Sequence, residues 1–447
     1  MLLAYHSTYF PYDVASSDVG NIGRELALSQ ASGGFDIIAV LESSDTDLRL
    51  TVLLHEKNRP QYARSMMQVD PHKYGNPVTK FEIYPTIPPI ESVPDDRKEE
   101  YQRALRPLTP HLRRSIVNEI SVVIREQYIF PDVGEKMIHR LETLVQDDGE
   151  YDNYQDAESF ARRLTDDLRV GDKHAGVLFH QPPRNVKDIE NDKKPIKLFD
   201  LVRERNFGFG NTSIETINDK KIGFLPINGF VPSNPKQASD YAAIREAISG
   251  IISEVADTDA LLVDLRLNGG GSPDTVAFVL SYLLDDGPVH LLDMVDCNGS
   301  IQESFSTLPA SELPDRAARF GGSKPLFVLT SKRTISGGED MAYAMQAFER
   351  ANAIIGEDDT TAGAANPCAS PKFIGEEEFG KGWWLVAIPN WRPVNMVTGS
   401  NWEGVGVKSD VIVREGEGDA KDVGTKMALK ALGLEEGLLV QPGPGEN

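Results

Sequence analysis

The feature that most constrains the fold is an alternation of strand-like and helix-like segments that begins near residue 196. Apolar, strand-like segments lie at residues 220–230, 260–271, 326–330, 353–355 and 383–388. Segments with helical periodicity lie between them, at residues 236–255, 275–284 and 337–350. This alternation is typical of an α/β domain built on a mostly parallel sheet.

Two other units precede this core, which we expect to span residues 190–435. Residues 1–95 contain a helical segment followed by strand-like runs, which predicts a small α+β domain. Residues 100–185 have helical periodicity, so we expect a helical domain there. The acidic tail at residues 436–447 contains glycine and proline and is predicted to be disordered.

The net charge of −22 over 447 residues limits the partners of the chain. Binding to nucleic acid needs clustered Lys and Arg, and an anionic membrane surface attracts basic segments. We therefore expect neither nucleic acid nor a membrane as a partner. Cys297 and Cys368 are too few for a disulfide framework or a Cys-based zinc site. The N-terminus has no leader pattern, which predicts a cytoplasmic protein, although a chain whose leader had been removed would look the same.

One serine, Ser336, occupies the turn between a predicted strand and a predicted helix, in the stretch SKRTISGGED. At such a turn the side chain lies at the carboxyl edge of the sheet, and the N–H of Gly337 points toward a developing oxyanion. Ser336 is therefore a candidate nucleophile. The alternative is an ordinary N-cap, in which Glu339 completes a capping box.

A nucleophilic serine needs a base, and histidine is the better candidate here. No lysine lies between Gly337 and Pro371, which argues against a local Ser/Lys dyad. Among the eight histidines, His174 is favoured because it lies in a turn rich in glycine and aspartate before a short strand. An acid would orient its imidazole, but so acidic a chain offers many candidates and composition does not choose among them.

A second glycine cluster, Asn268–Gly271, follows the apolar run LLVDLRL. Loops at the ends of parallel strands gather at one edge of a sheet, so this loop is a candidate for a second oxyanion donor. A phosphate-binding loop is the alternative, but the cluster has neither GxGxxG spacing nor a GK[ST] ending.

Several stretches taken together resemble one family. DLRLNGGG, VLTSKRTISGGEDMAYAM, IIGEDDTTAGAANP and NWEGVGVKSDVIV occur in the order found in the S41 serine peptidase superfamily. REQYIFPDVGEKM and DKHAGVLF are similar to the branch that contains the interphotoreceptor retinoid-binding protein repeats and the tricorn protease catalytic domain. The resemblance covers residues 108–415 and implies a crotonase-like α/β core with a helical entry domain.

The resemblance also implies roles for individual residues. The family's nucleophile falls on Ser336, its general-base histidine on His174, and the late glutamate of the tricorn-like branch on Glu403. The implied oxyanion and substrate-binding residues are Gly337, Gly269 and Gly270. No metal and no cofactor are implied.

Two departures from the family pattern are visible. Processing peptidases of the family carry a PDZ domain between the helical entry and the core, but only about 40 residues separate His180 from Lys221, so no PDZ domain is expected. Tricorn-like sites place a serine beside the histidine, where this chain has Lys173, which puts a four-residue relay in doubt. The N-terminal unit is similar to cystatin-like or NTF2-like domains, which implies a lid or a dimer surface.

We therefore predict a serine hydrolase of the S41 type that cleaves a peptide amide, or a small ester or lactone, through an acyl-enzyme. Two alternatives remain open, because fold alone does not settle function. One is a non-catalytic binding protein for an apolar small molecule, and the other is a biosynthetic cyclase or acyl-transfer enzyme. The expected partner is a peptide or a small-molecule acyl substrate, and the sequence leaves homo-oligomerisation open.

Overall fold

The computed structural model describes residues 33–44, 46, 48–57, 61–69, 78–146, 149–180, 198–203, 205–236, 238–315, 319–414, 416 and 418–434. The helical segment predicted within residues 1–32 and the tail at residues 436–447 lie outside the described residues. Within the described ranges, we find no helix that combines the length and the apolar character needed to cross a bilayer.

The strands follow one another along the chain as β1 (Phe35–Ser44), β2 (Arg49–Glu56), β3 (Tyr62–Val69), β4 (Val78–Pro85), β5 (Gly176–Phe179), β6 (Ser213–Ile217), β7 (Lys220–Pro226), β8 (Ala260–Asp264), β9 (His290–Asp296), β10 (Ile301–Ser306), β11 (Leu326–Thr330), β12 (Ala353–Gly356), β13 (Lys372–Ile374), β14 (Trp384–Ala387), β15 (Trp391–Asn395) and β16 (Val411–Ile412). The α-helices are α1 (Lys98–Ala104), α2 (Pro110–Gln127), α3 (Pro131–Leu144), α4 (Ala157–Arg169), α5 (Leu198–Arg203), α6 (Tyr241–Ala256), α7 (Pro273–Leu283), α8 (Gly337–Ala347), α9 (Glu376–Phe379) and α10 (Ala420–Ala431).

Contacts divide the chain into two units. The first unit comprises Met1–Pro195 and Pro367–Trp391, and the second comprises Ile196–Asn366 and Arg392–Asn447. The strand expected at residues 383–388 shows where this division differs from the prediction. It forms β14, which pairs antiparallel with β5 and β13 in the first unit, so it is not a strand of the α/β core. An apolar run predicts a strand but not its partners, because strand propensity depends on the surroundings.

Two antiparallel sheets and a group of helices form the first unit. One sheet has the order β13-β14-β5, and the other has the order β1-β2-β3-β4, an antiparallel meander that agrees with the strand-like runs predicted within residues 1–95. Helix α2 begins after Thr109, whose hydroxyl accepts the N–H of Leu112 at 3.3 Å and so caps the helix. Its buried apolar face consists of Ile116, Val117, Ile120 and Ile124.

A six-stranded sheet lies at the centre of the second unit, in the order β16-β12-β11-β8-β7-β6. Its pairings are parallel, except that the edge strand β6 runs antiparallel to β7. Strands β8 and β11 are buried along almost their whole length, as is usual for parallel strands covered on both faces. Helix α10 packs against a core that includes Leu262, Leu329 and Ile355. The predicted mixed α/β fold with a mostly parallel central sheet is confirmed.

The pairing of β8 with β11 determines which loops meet. Neighbouring parallel strands end at the same edge of a sheet, so the loop after Asp264 and the loop after Thr330 lie side by side. The first of these loops carries the glycine cluster Asn268–Gly271, and the second carries Ser336. A smaller three-stranded sheet, in the order β10-β9-β15, completes the strand pairing of this unit.

Asp167 on α4 is a buried carboxylate that joins the helices of the first unit. It accepts hydrogen bonds from Arg140, Arg163 and Tyr151 at 2.6–3.0 Å. Burial by itself would raise the pKa of Asp167, but these hydrogen bonds outweigh burial and hold its pKa below the ordinary value of 3.8.

Asp167→Asn should lower the free energy of unfolding by about 2 kcal/mol at pH 7, less than for an enclosed ion pair because Arg140 is 44% exposed. Since the folded-state pKa is depressed, the stabilisation exists above pH 3.8 and is lost as the pH falls through the folded-state value. The difference should therefore shrink at pH 3. Urea unfolding at pH 7 and at pH 3 measures this difference in stability, with the exposed Asp166→Asn as control. An equal loss of stability at the two pH values would contradict the depressed pKa of Asp167.

Candidate active site

Ser336 lies at the point where the loop after β11 enters helix α8. Its backbone has φ 55° and ψ −118°, which residues with a side chain rarely adopt, whereas an ordinary N-cap is extended. Strain of this kind costs about 1–3 kcal/mol and is concentrated at functional sites. The backbone of Ser336 thus differs from that of a simple helix cap, although Glu339 does complete the capping box that the alternative predicted.

Hydrogen bonds join the loop of Ser336 to the glycine loop. The Thr334 hydroxyl donates to the Leu265 carbonyl at 2.8 Å, and the Ile335 N–H donates to the Asn268 carbonyl at 3.0 Å. The Asn268 side chain is fully buried, and its Nδ2 donates to the carbonyl of the residue after β7 at 2.8 Å. The position of Ser336 therefore depends on the neighbouring strands as well as on its own.

Small residues allow the two loops to touch. Gly270 has φ +90°, and a side chain there would meet the Cβ of Ser336 at 2.8 Å. A side chain at Gly337 would meet the nitrogen of Gly271 at 3.0 Å. Gly337, Gly270 and the nucleophile candidate are thus in close contact, whereas the sequence predicted only that their loops share one edge of the sheet.

The N–H groups of the glycine loop have different partners. The Gly269 N–H donates to a main-chain carbonyl at 3.0 Å, and the Gly270 N–H donates to the Asn268 side-chain oxygen at 2.8 Å. In this conformation neither is free to bind an oxyanion, the role that the sequence resemblance implies for them. Among the described residues, no hydrogen-bond partner occurs for the N–H groups of Gly337 and Gly271.

Glu339 is fully buried three residues after Ser336. It accepts four hydrogen bonds, from the Ser336 N–H at 3.0 Å, the Thr361 hydroxyl at 2.5 Å, the Gly363 N–H at 2.6 Å and the Ala364 N–H at 2.9 Å. The sequence predicted only a capping role for this glutamate. Its other contacts lie 22 to 25 positions away, and no local pattern indicates them.

Glu403 is partly buried in the loop between β15 and β16. Its Oε2 accepts the N–H groups of Ala365 at 2.7 Å and Asn366 at 3.0 Å. Its Oε1 has no hydrogen bond with any described residue. Residues 361–366 therefore contact both Glu339 and Glu403 and connect the two glutamates inside the second unit.

His174 belongs to the first unit and lies in the turn before β5. Its main-chain N–H donates to Asp172 Oδ1 at 2.9 Å, and its Nδ1 lies 3.9 Å from the same oxygen. Asp172 is buried, and its Oδ2 accepts the Tyr128 hydroxyl at 3.1 Å. The Nδ1 of His174 is buried without a hydrogen-bond partner in the described part of the chain. The sequence did not single out Asp172, although the spacing Asp-x-His is visible in it.

Family models identify the class of this protein. Residues 221–389 match the model of peptidase family S41, and residues 108–204 match the N-terminal domain of peptidase S41 in eukaryotic IRBP. The chain therefore belongs to peptidase family S41, as the sequence resemblance implied. Within that family, it carries the N-terminal domain that the eukaryotic IRBP model describes.

Individual relatives are distant. A tail-specific protease from Haemophilus influenzae is 26% identical over 156 residues, which are 34% of this chain and 21% of that protein. The chain thus matches about a fifth of the length of this curated relative. A putative peptidase structure from Parabacteroides merdae has 16% identity and a TM-score of 0.45, over 71% of this chain and 96% of that one. The tricorn protease has 10% identity and a TM-score of 0.36, over 89% of this chain and 45% of that one.

Gly270→Ala should disturb the site, and Gly269→Ala should not. At residue 270 a methyl group would lie 2.8 Å from the Ser336 Cβ on a backbone with φ +90°, whereas at residue 269 the nearest atom is 4.0 Å away. We expect Gly270→Ala to lower the free energy of unfolding by about 1–3 kcal/mol, and Gly269→Ala by less than about 0.5 kcal/mol. Urea unfolding measures both, and equal stability of the two variants would contradict the close contact.

Asp340, the next residue after Glu339, is a second buried acid, and its burial raises its pKa to about 7. Because the unfolded value is near 3.8, the folded protein keeps a proton between pH 4 and pH 7 that the unfolded chain has released. The free energy of unfolding contributed by this group therefore falls as the pH rises through that interval.

Asp340→Asn should remove this pH dependence, because the amide resembles the protonated acid. The variant should match the parent near pH 4 and should be more stable than the parent at pH 8, each pKa unit corresponding to about 1.4 kcal/mol. Urea unfolding at the two pH values measures the effect, and the exposed Asp359→Asn controls for the change in net charge. A variant no more stable than the parent at pH 8 would contradict the raised pKa.

Proposed function

We propose that this chain is a serine peptidase in which Ser336 is the nucleophile, His174 the general base and Glu403 the carboxylate that orients the imidazole. The observation that carries the proposal is the backbone of Ser336, held at a positive φ at the start of α8 against the glycine loop. A helix N-terminus with small neighbours is a favourable place for a nucleophile that must stabilise negative charge.

The proposed reaction follows the acyl-enzyme pathway. His174 takes the proton of the Ser336 hydroxyl as Oγ bonds to the carbonyl carbon of the substrate, which converts the carbonyl oxygen to an oxyanion. The oxyanion then collapses, the bond to the leaving amine breaks, and the amine takes the proton from His174. A water molecule hydrolyses the acyl-enzyme by the same proton transfers in reverse and regenerates Ser336.

For the oxyanion, we assign the N–H groups of Gly337 and Gly271. Both lack a partner among the described residues, and the two glycines are neighbours across the loops. The resemblance had implied Gly269 or Gly270 as the second donor, but their N–H groups already donate inside the protein. A free donor is required, because the oxyanion is stabilised by an N–H that has no other partner before the negative charge develops.

The proposed roles of His174 and Glu403 rest on their unsatisfied atoms. The buried Nδ1 of His174 and the Oε1 of Glu403 both lack a partner in the described residues. An imidazole N–H that donates to a carboxylate oxygen would satisfy both atoms. The mechanism requires that the imidazole of the first unit come within about 3 Å of the Ser336 hydroxyl of the second.

We infer a peptide as the substrate, because the matched family is a peptidase family and the relative from Haemophilus influenzae is named a tail-specific protease. The proposed substrates also include a small ester or lactone, which would acylate Ser336 by the same pathway. The cytoplasmic location stays a prediction from the sequence, which leaves homo-oligomerisation open.

Labelling with a fluorophosphonate probe tests the proposal, because such probes react with an activated serine. Ser336→Ala should abolish labelling, His174→Ala should reduce its rate by at least about 10³-fold, and Glu403→Gln by about 10²-fold. Hydrolysis of a library of unstructured peptides should fall in the same order.

Two variants serve as controls, His180→Ala at the far end of β5 and Ser253→Ala on the exposed face of α6, and both should label like the parent. A parent that remains unlabelled at high probe concentration would overturn the proposed nucleophile and would favour the binding-protein alternative.

A further inference from the structure

We propose that Glu339 is a positioning residue that holds the nucleophile and Glu403 in a fixed relation through one hydrogen-bonded segment, residues 361–366. Its effect on the reaction rests on the proposed function, whereas its effect on the structure does not. Neither the family match nor the resemblance assigns a role to this glutamate.

The carboxylate of Glu339 is surrounded by hydrogen-bond donors. Each oxygen of Glu339 accepts two hydrogen bonds, Oε1 from Thr361 and Gly363, and Oε2 from Ser336 and Ala364. All four partners donate, so the site requires a group that only accepts. A glutamine has the same size, but its NH₂ group would replace one of the two oxygens and would face two donors. Leaving buried donors unpaired costs about 1–3 kcal/mol for each group.

Glu339 also holds the strained backbone of Ser336. The Ser336 N–H is fixed by Glu339 Oε2 at 3.0 Å, on the same residue whose φ is 55°. A backbone in a sparsely populated conformation persists only where its surroundings hold it. The bond to the carboxylate is charge-assisted, and such bonds are stronger than those between neutral groups. Glu339 thus contributes directly to the conformation of Ser336.

Residues 363 and 364 connect Glu339 to the neighbours of Glu403. The Gly363 and Ala364 N–H groups donate to Glu339, while their carbonyls accept hydrogen bonds from the residues on either side of Glu403. The Gly404 N–H donates to the Gly363 carbonyl at 3.0 Å, and the Trp402 indole N–H donates to the Ala364 carbonyl at 3.1 Å.

The next two residues of the segment hold Glu403 itself. The N–H groups of Ala365 and Asn366 donate to its Oε2. The start of the segment is tied back to the nucleophile loop, because the Ala362 N–H donates to the Thr334 carbonyl at 3.1 Å. Networks of this kind in a low-dielectric interior act as a unit rather than as separate bonds.

Hydrogen exchange of Glu339→Gln tests the structural part in the full chain. The N–H groups of Ala365 and Asn366 do not touch Glu339, yet we expect them to exchange at least about tenfold faster in the variant, because the segment that presents them is released. Glu349→Gln, at the exposed end of the α8 region, is the matched control and should change neither. Faster exchange confined to Ser336, Gly363 and Ala364 would overturn the proposed link to Glu403.

Labelling kinetics test the functional part. Glu339→Gln should lower the fluorophosphonate labelling rate by at least about 30-fold. In this variant, adding Glu403→Gln should lower the rate by a much smaller factor than Glu403→Gln does in the parent, since the two residues act through one segment. Independent, fully multiplicative losses would overturn the coupling. An unlabelled parent would instead reject the proposed nucleophile, and the exchange experiment would still decide the role of Glu339.

A second variant keeps the test decisive if Glu339→Gln does not fold. Thr361→Val removes the hydroxyl that donates to Oε1 and that accepts the Val407 N–H at 2.7 Å, and it leaves the charge of the site unchanged. This variant should accelerate hydrogen exchange of the Ala365 and Asn366 N–H groups by about threefold or more, a smaller factor than Glu339→Gln causes. It should also lower the labelling rate, as Glu339→Gln does. Unchanged exchange at both N–H groups in a folded Thr361→Val would overturn the proposal.

Discussion

The parallel pairing of β8 with β11 is the constraint on which the rest of the site depends. Because neighbouring parallel strands end at one edge of the sheet, two loops far apart in sequence lie in contact there. Glycine is strongly favoured at that contact at residue 270, where the backbone has φ +90° and the nearest side-chain atom belongs to Ser336. The buried strands supply the rigidity, and the loops supply the polar groups.

The strained backbone of Ser336 at this edge needs support, and the second unit provides it with a buried carboxylate. Glu339 is satisfied by neutral donors from its own helix start and from residues 361–364. Its neighbour Asp340 is also buried, and burial raises its pKa to about 7.

Much of the fold could be predicted from local patterns. Strands β7, β8, β11 and β12 and helices α6, α7 and α8 lie near their expected positions, and the position of Ser336 between a strand and a helix was visible directly. Strands β9 and β10 were not predicted. The assignment of β14 to the core was wrong, because an apolar run does not specify its partners. The long-range contacts of Glu339 were missed, since they depend on how the chain folds back on itself, whereas Asp172 was visible two positions before His174 and was not singled out.

The sequence by itself determined the family, the alternation of strands and helices, and the residue types available for chemistry, because these depend on composition, periodicity and motif order. Only the tertiary structure decided which glycine N–H groups are already occupied, how residues 361–366 connect two glutamates, and that residues 367–391 join the first unit. The physical reason is that hydrogen bonds and strand pairs form between residues tens of positions apart, and local sequence patterns do not specify which distant residues come into contact.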